Sequence, residues 1–340
     1  VFARAVNENS DIQNVLKDAI LFKVDCEKGE GIEIAKQYSV TGYPTYIAMN
    51  GKGESTDRWI GYEGPEKWVA AVEAAKADRR TIVEKKAAFE AEPTLALAKS
   101  LGDDAAAGSQ YRNAVKYYRV AAEMDADNAA AYNSDIMSSM AYGARGGAFT
   151  IDEVYGQADI VMAAAGTPAG DKVQLALMLK QVGAASGTMD RALPFMTAAI
   201  AASEGSTDEQ TVKYRTYLQI DHALLVEKNP AKAFELRLST MPAGWTEDPD
   251  SLNNFAWWCF ENDIKLDQAQ EWALRGVELA GDDAQRANIL DTAAEICNAL
   301  GNCDEALAHI QRAIELDPEK QYFKDQLVKF EKAAKEKKDS

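Results

Sequence analysis

The sequence predicts an α/β segment followed by an all-α array of repeated helical hairpins, and three observations carry that expectation. Residues 1 to about 78 alternate short β-type runs with helical ones, whereas residues 85 to 340 hold almost no β-type run and are rich in Ala, Leu, Glu and Lys. A polar-polar-small triplet recurs through the second stretch at nearly even intervals. Hydrophobic residues make up 47% and charged residues 27% of the chain, a globular balance that excludes general disorder and a fibre. The texture changes between Asp78 and Lys85, so the expected domains are 1–80 and 85–340.

In the first segment, Ile20-Leu21-Phe22-Lys23-Val24-Asp25 is a short apolar run ending in an acid, as buried parallel strands often do. Helical spacing follows in Ile32, Ile34, Ala35 and Tyr38. The next strand, Thr45 to Met49, is preceded by Pro44, which lacks the N–H that a ladder interior needs. Asn50-Gly51-Lys52-Gly53 predicts a tight turn because an Asn-Gly pair tolerates positive φ, and Asp57 to Tyr62 completes a hairpin. Pro65 then opens a helix whose Trp68, Val69, Val72 and Ala75 share one face.

That order of elements, with Val40-Thr41-Gly42-Tyr43-Pro44-Thr45 at its centre and Asp25-Cys26-Glu27-Lys28-Gly29-Glu30-Gly31 before it, resembles the second half of a thioredoxin domain over residues 1 to about 78. The resemblance implies an α/β thioredoxin-like (partial) domain in which Pro44 matches the family's cis-proline and Tyr43, Pro44 and Thr45 contact substrate. It extends to bacterial thioredoxin-like proteins with extracytoplasmic redox domains, implying periplasmic or secreted residence, with a cytoplasmic adaptor as the alternative. The family's CxxC, whose first thiol is activated at a helix N-terminus, has no counterpart here. Val1-Phe2-Ala3-Arg4 aligns just after it, so the chain is expected to begin downstream of the reactive pair and to lack any targeting segment. The strand that leads to CxxC in the family is then missing, and a gap with unpaired backbone is expected between Ile20–Asp25 and Thr45–Met49. Cys26 follows a strand without a His or CxxC partner and reads as a structural thiol.

The triplets are Arg112-Asn113-Ala114, Asp152-Glu153-Val154, Asp190-Arg191-Ala192, Ala231-Lys232-Ala233, Asp267-Gln268-Ala269 and Asp304-Glu305-Ala306. Their third members lie 40, 38, 41, 36 and 37 residues apart. Seven residues after them stand Ala121, Ala199, Gly276 and Ala313, small positions that let a partner helix approach, while Val161 and Thr240 depart from the rule. The last unit runs Leu290, Ala293, Ala294, Cys297, then Leu300-Gly301-Asn302, then the triplet, Ile310, Ala313 and Leu316-Asp317-Pro318. It resembles a tetratricopeptide repeat. The resemblance implies an all-α tetratricopeptide-like superhelix of six hairpins over 85–340, closed by a capping helix from Gln321 to Lys335. Cys259 and Cys297 fall on the core face, and Cys297 and Cys303 stand on either side of one turn.

Function follows by exclusion and by placement. With 37 Lys+Arg against 54 Asp+Glu the formal charge is −17, which disfavours nucleic acid, and the Lys-rich run Lys332 to Lys338 has no interleaved aromatics for stacking. No apolar run is long enough to span a bilayer. Four dispersed cysteines and two distant histidines offer no metal set or histidine triad, so no catalytic residue, metal or cofactor is expected. The first helix of each hairpin should line a groove. In the last two units its side chains are Asn253 and Trp257, then Asn288, Asp291, Glu295 and Asn298. The two acids favour a basic or neutral protein or peptide partner over an acidic tail. Two readings stand: a thiol-disulfide oxidoreductase whose array presents clients, with this stretch inactive for want of CxxC, or an interaction scaffold with no redox chemistry.

Overall fold

The computed structural model describes residues 2–62 and 64–338. The chain is 72% helical, and among the described residues the only strands are two antiparallel ones. It divides into two compact units, 1–211 and 212–340. The first unit opens with α1 Phe2–Glu8, α2 Ser10–Val15 and α3 Gly31–Gln37, followed by β1 Thr45–Met49, β2 Ser55–Ile60 and α4 Pro65–Ala77. The helices α5 Ile82–Ala91, α6 Leu95–Ala107, α7 Tyr111–Met124, α8 Ala129–Arg145, α9 Ile151–Ala163, α10 Ala169–Ser186 and α11 Met189–Ser203 complete it.

The α/β thioredoxin-like domain is not what this unit contains. Ile20–Asp25, expected as a buried parallel strand, is irregular chain, with Ile20 98% and Phe22 77% exposed. A strand exists only where a neighbour takes its N–H and C=O groups, and β1 pairs with β2 alone. What forms is a hairpin in register Thr45↔Ile60 to Ala48↔Asp57, with a bulge at Ala48/Met49. Its turn is held by the Asn50 side chain, whose Oδ1 accepts from the N–H groups of Lys52 at 2.9 Å and Glu54 at 3.1 Å. The left-handed residue is Gly53, φ 78°, rather than the Asn-Gly pair. Behind the hairpin, Trp68 and Val72 of α4 close a small core with Ile12 and Val15 of α2, and Tyr46 stacks on Trp59 at 5.5 Å between ring centres.

The change of texture at 78–85 lies inside this unit, because polar side chains bridge it. Lys85 on α5, 1% exposed, places its ammonium 2.7 Å from Asp57 of β2 and 3.0 Å from Ser100 of α6. Ser100 donates to the second Asp57 oxygen at 2.6 Å. Arg58 binds Asp104 of α6 at 2.9 Å and the Tyr38 carbonyl at 2.8 Å. The hairpin is thereby fixed to the first helices of the array.

The helical part is repeat-like. The second unit holds most of α12 Glu209–Leu225, then α13 Pro230–Ser239, α14 Pro249–Glu261, α15 Leu266–Leu279, α16 Asp283–Ala299, α17 Cys303–Leu316 and α18 Gln321–Lys338. The six triplets stand in the opening turns of α7, α9, α11, α13, α15 and α17. Within each unit helices pack on the next one and, in several cases, on the one after: α8 on α10 and α9 on α11 in the first, α14 on α16 and α16 on α18 in the second. Packing of that kind buries the face that an isolated hairpin would leave in water. Ala121, Ala199, Gly276 and Ala313 are all buried, and so is Val161, whereas Thr240 stands just beyond the end of α13.

The turns inside the hairpins share one closure. In five of them an N–H bonds the carbonyl five residues back, Gln110 to Ala105, Ala148 to Gly143, Thr188 to Gly183, Ile264 to Cys259 and Asn302 to Cys297. The residue before each of these N–H groups is left-handed: Ser109, Gly147, Gly187, Asp263 and Gly301. Gly301, φ 79°, is where a side chain would be strained by backbone conformation, since an added Cβ would meet only the far end of the Lys337 side chain, whose ammonium donates to the Gly301 carbonyl. We expect Gly301→Ala to destabilise the second unit by roughly 1–2 kcal/mol in urea unfolding, the cost of a left-handed Cβ.

Candidate functional site

The expected partner-binding residues lie on α14 and α16. Helix α14 is capped by Asp248, whose side chain accepts from the Ser251 N–H at 2.9 Å, and Pro249 supplies its first turn. Leu252, Phe255, Ala256 and Cys259 are fully buried, so one face is committed to the core. That leaves Asn253 and Trp257, one turn apart, on the flank and half-buried. The Trp257 ring meets Phe260 at 5.1 Å between centres, and Asn253 Oδ1 is buried without a hydrogen-bond partner.

Helix α16 departs from the expectation of an open groove wall. Every residue from Ile289 to Cys297 is buried, because α14, α15, α17 and α18 all pack on it. Asn288 is exposed and accepts from Lys320 Nζ, and Asn298 is half-buried, but Asp291 and Glu295 are only 7% and 4% exposed. The physical reason is α18. Gln326 Nε2 donates to Glu295 Oε1 at 2.9 Å, Lys329 Nζ donates to the same oxygen, and Gln326 also donates to the Tyr322 hydroxyl, which in turn bonds Asp291. The acids that suggested a basic partner are answered within the chain.

Burial is the main cause that pushes the Asp291 carboxyl up to about 6, with the neighbouring Glu295 charge adding to it and Tyr322, Lys320 and Lys329 opposing. The cysteines on the same core are quiet. Burial pushes the Cys259 thiol up to about 12 and the Cys297 thiol up to about 11, where neither is a thiolate at neutral pH. All four cysteines are free, and the Cys297 sulfur is engaged by Gln270 Nε2 at 3.2 Å.

In the first unit, Tyr43, Pro44 and Thr45 lead into β1. The Tyr43–Pro44 bond is cis, Tyr43 and Pro44 are exposed, and Thr45 Oγ1 donates to the Gly42 carbonyl at 2.6 Å. Among the described residues no titratable side chain bonds to these three. The Lys85, Asp57 and Ser100 set, which combines a hydroxyl, an ammonium and a carboxylate, was not legible in the sequence: Lys85-Lys86 on a helix reads as solvated surface. With Lys85 almost wholly enclosed, the set offers a substrate no approach and works as a fastening.

Among the described residues no group of His, Cys, Asp and Glu could hold a metal ion, and no helix is long and apolar enough to cross a membrane. Compared with known proteins, the chain matches no family model and no curated sequence.

Proposed function

We propose that the chain is a protein-interaction scaffold whose α14 flank binds an uncharged, partly apolar peptide segment. The observation that carries this reading is Trp257, a large aromatic left partly in water with Asn253 one turn before it. Tryptophan is enriched among binding anchors because its ring supplies area, and a neighbouring amide can orient a peptide backbone. Asn288 and Asn298 on α16 add two more amides to the same helix pair. With Asp291 and Glu295 engaged by α18, the open part of the expected stripe carries no net charge, which favours a neutral segment over a basic one.

The test uses peptides selected from a random display library on the whole chain. Trp257→Ala should weaken the selected peptides by about 30-fold or more, the loss typical of a central aromatic anchor. Asn253→Ala should weaken them less, with far-UV circular dichroism unchanged in both. Equal binding by the wild-type chain and Trp257→Ala would place recognition elsewhere.

A further inference from the structure

The last helix rests on α16 through an apolar row and a polar one. Phe323 and Phe330, both fully buried, pack with Leu290, Ala294 and Cys297 of α16. Beside them Glu295 accepts from Gln326 and Lys329, while Asp291, one turn earlier, keeps Oδ1 buried with no hydrogen-bond partner. The ionisable groups that face Asp291 are Glu295 on its own helix, Tyr322 and Lys329 on α18, and Lys320 just before it. From the other flank α14 brings Asp250, which is held by the Gln285 amide at 2.8 Å. On α15 and α17, Gln270 and Glu305 bond each other at 3.1 Å and both contact the Cys297 thiol. Lys320 is engaged by Asn288, so of two buried carboxylates on successive turns only Glu295 has an ammonium in direct contact, while Asp291 is bonded by the Tyr322 hydroxyl alone. The docked arrangement is balanced when the pair carries one negative charge rather than two.

We propose that α18 is a proton-linked cap: it grips α16 most firmly while the Asp291/Glu295 pair keeps one proton, and its grip slackens as that proton leaves, uncovering the Leu290, Ala294 and Cys297 row. The sign follows from the direction of the shift. A carboxyl raised in the docked state favours docking fully below the ordinary carboxylate range, and that contribution is lost as pH rises through about 6. Between pH 5 and pH 8 the docking equilibrium should weaken by about tenfold.

Amide hydrogen exchange on the whole chain tests it, with intrinsic rates corrected at each pH and α18 protection expressed relative to α14. In the wild-type chain this ratio should fall about tenfold from pH 5 to pH 8, and in Asp291→Asn it should be flat. Tyr322→Phe removes a hydrogen bond that favours the ionised carboxylate, so the midpoint should move upward; this variant decides the matter if Asp291→Asn does not fold. A flat ratio in the wild-type chain, the same slope in Asp291→Asn, or an unmoved midpoint in Tyr322→Phe would overturn the proposal.

Discussion

Lys85→Met is expected to destabilise the first unit by about 3–5 kcal/mol, because it strips the counter-charge from a carboxylate that cannot reach water. The ammonium lies 2.7 Å from Asp57 and 3.0 Å from Ser100, and the side chains of Lys85 and Asp57 are 1% and 10% exposed. Solvent screening, which reduces surface pairs to a fraction of a kcal/mol, is therefore slight here. The double substitution Lys85→Met with Asp57→Leu should recover most of the loss, since replacing a whole buried pair by apolar groups is often near neutral. Hydrogen exchange of the β2 and α5 amides under increasing urea reports this unit alone. A loss below about 1 kcal/mol in the single variant would show that water reaches Asp57 and that the pair fastens nothing.

Phe255→Ala should cost the second unit about 3–5 kcal/mol, the range for deleting a buried aromatic ring. Phe255 is fully buried at the centre of an aromatic group: Trp272 lies 4.8 Å from it, Trp245 5.2 Å, Phe234 5.6 Å and Trp258 6.0 Å, between ring centres. Four rings lose a neighbour at once, and a cavity lined by stiff side chains from three helices and a turn collapses poorly. Phe255→Leu keeps most of the volume and should cost about 1–2 kcal/mol. Urea unfolding followed by tryptophan fluorescence, together with loss of near-ultraviolet circular dichroism in the Ala variant, checks both. Similar midpoints for Phe255→Ala and the wild-type chain would mean that the rings repack around the gap.

The parts of the fold that were legible in the sequence are those set by local pattern. A polar pair followed by a small residue marks where α7, α11, α15 and α17 begin, and looser triplets with Val154 and Ala231 mark α9 and α13, because solvent exposure and close approach are properties of neighbouring turns. Pro65 marks α4 for the same reason. What was not legible depends on a distant partner. Ile20-Leu21-Phe22 has the composition of a buried strand but no chain beside it, so its apolar side chains stand outside. Asp291 and Glu295 have the spacing of a solvated stripe, and only the position of Gln326 and Lys329 in space covers them. Lys85 reads as surface for want of any local sign that Asp57, 28 positions earlier, would meet it. Trp257 and Asn253 fall off the core face of α14, which four residues of that helix alone fix, but the neighbours that leave both half-buried rather than open are not written in the helix.

The shared closure of the hairpin turns has a consequence for how such an array diverges. The closing bond joins two backbone groups, and the one special position accepts Ser109, Asp263 or a glycine with the same handedness. Side chains around the joints are therefore free to drift, and residues inserted outside the closing segment alter the spacing of the units without disturbing the bend. Uneven intervals along the chain and constant local geometry are two sides of a hinge written in main-chain atoms.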